Sequence, residues 1–475
     1  MKKLVLLSVA FFSIATLSHS LIIEVPLDYP TIQTAIQNAA SGDTVLVAKG
    51  TYNESISFEG KNIVVASHFL TTGDSLCIDE TIIRAITGSV VTFQNNETKD
   101  ARLVGFTIKN GSGTKEGITR YGGGIYCSLA HPTLEHLKVI ENTLAGLGGC
   151  GGGMYFRESN AHVINCRIED NESPYGGGIR CDGADIKVTG TWFRNNFSVA
   201  SGGGMMFVGC PAPRIEQCTF TGNSGTYGGA IACNNSSPVI DRVTSFHNIG
   251  GYGGTLNVEG NSNPKVINSI FWENSSNPSI VNEIFLGPGY NTLLVAYCDI
   301  LGSDTAIHNQ GSGTFDWMEG NIEIYPEFNN PVAMDLTLSE SSPCVDAGID
   351  LFIYFGDTLV NISSYSGVAP DMGAHEYEIP LSSDPGPLTE QQSDFQIQTR
   401  LNSGTVVVHF TLPESLQVQL SLYDLRGREI CSSRNQRLSA GEHAITLNPS
   451  SFNSGIYIVQ LIAGGNSASR KVLVN

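Results

Sequence analysis

Residues 175–196 read YGGGIRCDGADIKVTGTWFRNN, a glycine-rich phrase followed closely by a phrase that ends in asparagine. Both phrases recur. The first returns as YGGGIYC at 121–127, GGGMYF at 151–156, SGGGMMF at 201–207, YGGAIAC at 227–233 and YGGTLNV at 252–258. Its third small residue falls at Gly124, Gly153, Gly178, Gly204, Ala230 and Thr255, in steps of 29, 25, 26, 26 and 25. The second phrase keeps the same beat, ending at Asn142, Asn171, Asn196, Asn223, Asn248 and Asn274. A fixed period of this size means stacked coils, and two phrases in phase exclude chance composition. Each coil then holds two short strands, one after the glycines and one before the asparagine. Short β-branched and aromatic runs without helical periodicity favour an all-β, right-handed parallel β-helix over an α-solenoid.

Because side chains alternate across a strand, the phrases also assign faces. Ile125, Met154, Ile179, Met205, Ile231 and Leu256 form one inward column, and Cys127, Phe156, Cys181, Phe207, Cys233 and Val258 another. Cysteines alternating with large apolar residues in one column read as small buried hydrophobes rather than disulfide partners. Cys166 and Cys218 share a third inward column with Leu137, Thr191, Val243 and Ser269. No CxxC pair and no Cys/His ligand spacing occurs, so no metal site is assigned. Asparagines stacked one per coil can bond their amides along the stack and tolerate left-handed backbone at a tight turn. The glycines allow positive φ or close packing of coil on coil.

The two ends read differently. Residues 1–20, with Lys2, Lys3, an apolar run from Leu4 to Leu17 and small Ser18 and Ser20, have the pattern of a removable export signal. No later run approaches the roughly 20 apolar residues that a membrane-spanning helix needs. The whole chain carries −19, a balance that repels phosphate backbones and excludes nucleic acid as a partner. At the start of the expected solenoid, 21–378, Asp28 and Pro30 suit a helix start; Ile32, Ala35, Ile36 and Ala39 make an apolar stripe, and Gly42 ends it. Such a helix would cap the open first coil. Residues 379–394 have linker composition. Beyond them, 395–475, the alternating segments TVVVHFTL, LQVQLSLYDL, HAITLN, IYIVQLIAG and RKVLVN predict a small β-sandwich, with turns at Arg426-Gly427, Ala440-Gly441 and Asn453-Ser454-Gly455.

The segment LDYPTIQTAIQNAASGDTVLVAKGTYNESISFEGKNIVVAS resembles the N-terminal entry of the pectin lyase-like superfamily, pectin methylesterases in particular. The aspartate and arginine phrases that catalysis needs in that family are missing. LYDLRGREI, GIYIVQLIAGG and RKVLVN resemble a type A sorting domain of the type IX secretion system. That resemblance implies export across an outer membrane, with the type IX machinery as partner and the product secreted or linked to the surface. Across 121–275, GGGI, GGAI, FRNN, FTGN and FWEN are similar to the repeats of chlamydial polymorphic membrane adhesins, although the chain lacks their membrane barrel. SSPCVDAGID and APDMGAHEYE, ending at Glu378, resemble the last coils of bacterial surface β-helix proteins.

Two functions follow. One is a noncatalytic surface protein that binds a polysaccharide or cell-surface glycan along the solenoid flank. The other is a polysaccharide lyase or glycoside hydrolase, acting on acidic or plant-type polysaccharide with paired carboxylates or calcium. Glu141 and Asp170, one coil apart in the column before the asparagines, are the candidate catalytic carboxylates, with Glu169, Arg167 and Arg194 near them. Tyr126, Tyr155 and Arg180 head an outward column that continues with Met206, Ala232 and Asn257. They could form a flat strip for sugar rings or a ladder that only steadies the stack. Trp192, Trp272 and Trp317 are further sugar-contact candidates. No cofactor is implied. Asp346, Asp371 and Glu376 carry carboxylates suited to calcium, but equally to bonding backbone amides in terminal turns.

Overall fold

The computed structural model describes residues 20–146, 148–275 and 282–378, and then 398–402, 405–424, 429–433, 436–447, 455–463 and 466–474. The expected signal, apart from Ser20, and the expected linker at 379–394 lie outside these residues. The chain divides into two compact units, Met1–Ile379 and Pro380–Asn475.

The first unit is a right-handed parallel β-solenoid of about 11 turns. Three long sheets run its length. A 12-stranded sheet extends from Ile22–Val25 to Thr314–Trp317, one 10-stranded sheet from Ile56–Ser57 to Ile307–Asn309, and another from Gly50–Tyr52 to Asp299–Ile300. They are called the first, second and third sheets below. Strands one coil apart pair in parallel, so the predicted columns are real neighbours: Ile125 opposite Met154, Met154 opposite Ile179, and onward through Met205, Ile231 and Leu256. All six are buried in the lumen. The cysteine columns lie there too, and the ten cysteines of this unit are buried unbridged thiols. Burial pushes Cys127, Cys166 and Cys218 up to about 12, the direction for a thiol packed as a hydrophobe.

The glycine phrase is dictated by the turn into the second sheet. Gly176 sits at φ 68°, a region costly for L-residues. A Cβ on Gly177 would lie 2.6 Å from the carbonyl oxygens of both Gly203 and Phe197. The third position is less strict, since Ala230 and Thr255 occupy it in later coils.

The asparagines form a buried ladder. Nδ2 of Asn142, Asn171, Asn196, Asn223 and Asn248 each donates to Oδ1 of the next asparagine at 2.8–3.0 Å. Each backbone N–H of these five donates to that same oxygen. Asn274 donates at 2.9 Å to Glu283, which closes the ladder. The left-handed corner expected at the asparagines lies one residue earlier, at Glu141, Asp170, Asn195, Gly222, His247 and Glu273, with φ between 51° and 65°. The asparagine itself turns inward, because its amide is needed between coils.

At the N-terminal end, helix Ile32–Asn38 buries Ile32, Ala35 and Ile36 in the solenoid core, as the stripe predicts. Its N-cap is Thr31, whose side chain accepts from Thr34 N–H; Asp28 instead accepts from Glu24 N–H. The other end departs from expectation. Stacking stops at Thr314–Trp317, apart from a bridge between Asp299 and Ile322. The phrases expected as closing coils fold back over outer faces. Phe328, Leu336, Leu338, Cys344 and Met372 pack on Phe246, Ile270 and Trp272, and hairpin Leu351–Tyr354/Asp357–Asn361 packs on Val239, Ile267 and Leu294. The cause is visible in the strands. From about residue 239 onward their outward positions include Val239, Phe246, Ile267, Ile270, Trp272, Leu294 and Ala296, which bury area only if something covers them.

The second unit has two antiparallel sheets around one core. One contains Gln398–Asn402, Thr405–Leu412 and Gly441–Leu447; the other is built on Leu416–Asp424, Gly455–Ala463 and Asn466–Val474. Alternate residues Val406, Val408, Phe410 and Leu412 face Val418, Leu420, Leu422, Val459 and Leu461. The turns expected at Arg426-Gly427 and Asn453-Ser454 lie outside the described residues.

Candidate functional site

Counting back four residues from each ladder asparagine gives one outward column of the third sheet: Lys138, Arg167, Trp192, Thr219, Thr244 and Ile270, paired coil by coil. Counting back two gives Ile140, Glu169, Arg194, Thr221, Phe246 and Trp272. Most of this face is covered. Toward the N-terminal end, helices Phe69–Thr72 and Leu76–Glu80 lie over it, and Thr107 is buried with its hydroxyl bonded to the Ile78 carbonyl. Toward the C-terminal end the folded-back segment seals it. His375 contacts the Thr219 hydroxyl at 3.1 Å, and Thr221 meets Met334.

Three strands remain open between these covers: Lys138–Ile140, Arg167–Glu169 and Trp192–Arg194. Arg167 and Arg194 are exposed, and among the described residues neither has an ion-pair partner. Trp192 is half-buried, its ring 5.3 Å from that of His375. At the helical cover the face deepens into a cavity of about 270 Å³, lined by Phe69, Ser75, Ile78, Asp79, His136, Leu137, Lys138, Asn165 and Arg167. Lys138 Nζ is held by Asp79 at 2.7 Å. His136 packs its ring 4.6 Å from Phe69, and burial holds its pKa below the usual histidine value, so it is neutral at pH 7. The combination offers guanidinium and ammonium groups for an oxyanion and an indole for a sugar face.

The predicted carboxylates border this window. Glu141 and Asp170 occupy the left-handed corners that follow its first two strands, both exposed, with Glu141 3.4 Å from Lys109. Glu169, Arg167 and Arg194, noted in the sequence beside the carboxylates, come together here with Trp192, and Glu169 stands on the open face next to Arg194. Trp272 is buried beneath the folded-back segment and Trp317 packs against the solenoid core.

Tyr126, Tyr155 and Arg180 do stand side by side on the outer face of the second sheet, but a roof covers them. Hairpin Thr114–Glu116/Thr119–Tyr121 leaves Tyr126 2% and Tyr155 1% exposed. Their rings stack 6.0 Å apart at 13°. Tyr126 donates to Glu116, which also receives a bidentate pair from Arg157 at 2.9 and 3.0 Å; Arg157 is the main cause holding the Glu116 carboxyl below its usual value. Tyr155 and Arg180 both bond Asp182. This geometry is the stack-steadying ladder, with no room for a sugar ring. Asp346 accepts from Val368 and Ala369 N–H, and Asp371 from Asp346 and Tyr377 N–H, while Glu376 faces Asp371 N–H. These are backbone-amide roles.

The chain is thus a β-solenoid followed in sequence by a separate antiparallel domain. Residues 77–240 match the family described as right handed beta helix region, and residues 402–475 match the secretion system C-terminal sorting domain. The sorting domain marks the chain for type IX export and attachment at the cell surface. Among the described residues no helix is long and apolar enough to cross a membrane. No curated protein matches the chain. Two solved structures are similar at low level. One is a pectin methylesterase in complex with a hexasaccharide, at 13% identity and TM-score 0.27, covering 68% of this chain and 99% of that one. The other is the enzymatically active domain of bacteriophage CBA120 tailspike protein 4, at 12% identity and TM-score 0.28, covering 86% and 60%. Neither likeness carries an argument about activity.

Proposed function

We propose that this exported surface protein binds an acidic saccharide on the open window of the third sheet. The observation that carries the reading is a pair of guanidinium groups, Arg167 and Arg194, without an ion-pair partner among the described residues, beside the half-buried indole of Trp192. In a chain of net charge −19, exposed arginines are expected to find carboxylates. Two that do not, beside an aromatic face, suit a ligand that brings its own anion. The surrounding field repels a polyanion at long range, so recognition rests on contact: bidentate bonds from arginine and stacking on tryptophan.

Calorimetry with uronate-containing and neutral oligosaccharides tests this. Saturable binding of the acidic series alone is expected, weakened roughly tenfold by Trp192→Ala and more by Arg167→Ala with Arg194→Ala. Equal binding of neutral sugars, or undiminished affinity in the double arginine variant, would overturn it. New reducing ends or unsaturated uronides in the same incubations would move the reading to a hydrolase or lyase, with Glu141 and Asp170 on the rim as the first residues to substitute.

A further inference from the structure

Resting on that reading, we infer that the window receives the end of an acidic saccharide chain, or a short branch, with its terminal oxyanion-bearing sugar seated in the cavity by Lys138 and Arg167. Internal stretches of a long polymer do not fit. The argument is one of boundaries. Along the solenoid axis the open face is three strands long, roughly 15 Å at about 4.8 Å per strand, which is room for about two or three sugar rings. The Leu76–Glu80 helix closes one end, where Asp79 reaches Lys138. His375, fixed on Thr219 beside Trp192, closes the other.

Across the axis the first coil is walled on one side, where Phe69 and His136 stand ring against ring; the equivalent positions of the next two coils are Asn165 and Gly190. On the other, the first two corners carry Glu141 and Asp170 and the third Asn195, so an acidic chain leaving from the cavity end that way would pass two carboxylates. The cations meanwhile converge on the closed end. Arg167 lines the cavity, and among the described residues it has no ion pair while Lys138 pairs with Asp79. A terminal sugar bearing carboxylate or sulfate finds both groups there, while the following rings reach Trp192 and Arg194.

The test is affinity against length, by calorimetry on the full chain, with galacturonate oligomers and a sulfated oligosaccharide series of one to eight units. Affinity is expected to climb to about the third unit and then stay flat, and long polymer should bind in proportion to chain ends. The series that shows the plateau identifies the oxyanion. Lys138→Ala should weaken the shortest binding oligomer at least tenfold. His375→Ala, which removes the far stop without touching the cavity, should move the plateau to longer chains. Affinity that keeps rising past four units, or stoichiometry that grows with polymer length, overturns the chain-end inference while leaving acidic-saccharide binding intact. Absence of binding at every length in both series overturns the two together.

Discussion

Replacing Asn196 by alanine removes a buried amide that serves four partners. Its Oδ1 receives Asn171 N–H at 3.2 Å and Asn171 Nδ2 at 3.0 Å; its Nδ2 donates to the Ile168 carbonyl at 2.7 Å and to Asn223 Oδ1 at 2.9 Å. Two of these partners keep another bond, since Asn171 Nδ2 also reaches the Val139 carbonyl and Asn223 Oδ1 also accepts Asn196 N–H. The side chain is fully buried, so water cannot substitute without opening the coil. At about 1–3 kcal/mol per buried group left unsatisfied, the loss is of order 3–4 kcal/mol, or about 10²–10³ in the local opening constant. In a stacked array that loss stays near the altered coil. Hydrogen exchange on the full chain should therefore show protection falling in residues 166–225 and holding near residues 22–67. The control is Asn195→Ala one residue away, where the side chain is exposed and only left-handed backbone is at stake, for about 1 kcal/mol. Equal losses in the two variants would refute the ladder as a stabilising element; uniform loss along the solenoid would refute its coil-by-coil character.

Gly177→Ala would press a Cβ to 2.6 Å from two carbonyl oxygens of different segments, and thermal melts should show a cost of about 3 kcal/mol. Gly178→Ala meets one carbonyl oxygen, that of Gly204 at 2.5 Å, rather than two, and Ala230 stands at the equivalent place, so it should cost less; a reversed order would refute the packing account of the phrase. Burial also pushes Glu283 and Asp299 up to about 7, so the folded chain prefers both protonated. An acid raised on folding adds stability at pH values below its unfolded pKa and loses it as pH rises through the folded value. Urea midpoints should accordingly fall between pH 4 and pH 7, by about 3 kcal/mol for fully buried Glu283. Glu283→Gln should flatten that slope, and a midpoint that rises with pH over this window would contradict the assignment.

Much of the solenoid was legible because stacking constrains sequence directly. Glycine is forced where the next coil's carbonyl comes too close for a Cβ, and asparagine where an inward side chain must both donate and accept. For the same reason the phrases specify a coil and say nothing about its ligand. The window was legible in principle: Lys138, Arg167 and Trp192 each lie four residues before a ladder asparagine, which places them in one outward column. Its boundaries were not. The Phe69–Thr72 and Leu76–Glu80 helices are single turns without side-chain caps, too short to show a period. Alternation also gave the outward direction of Tyr126 and Tyr155 but could not reveal a roof supplied by Thr114–Tyr121, because that hairpin interrupts a coil and is tied down through Glu116 and Arg157.

The ladder and the window meet in the same coils, and this bears on how the site keeps its shape. Asn142, Asn171 and Asn196 close the turns that follow the three open strands, so each asparagine fixes the register of the residues four and two places before it. From amide to amide the bonds all run one way, each Nδ2 donating to the next side chain toward the C-terminal end while its second proton meets a carbonyl of the preceding coil. Such a chain must finish on an acceptor, and the carboxyl oxygens of Glu283 take Asn274 N–H, Asn274 Nδ2 and the Thr255 hydroxyl. Beyond it the period fails and the chain soon folds back. The directional ladder thus begins at the first window coil and continues beneath the folded-back segment to Glu283. Cations and indole on the window coils are spaced by backbone pairing rather than by flexible loops, which is the precision a short, charged ligand with few contacts demands.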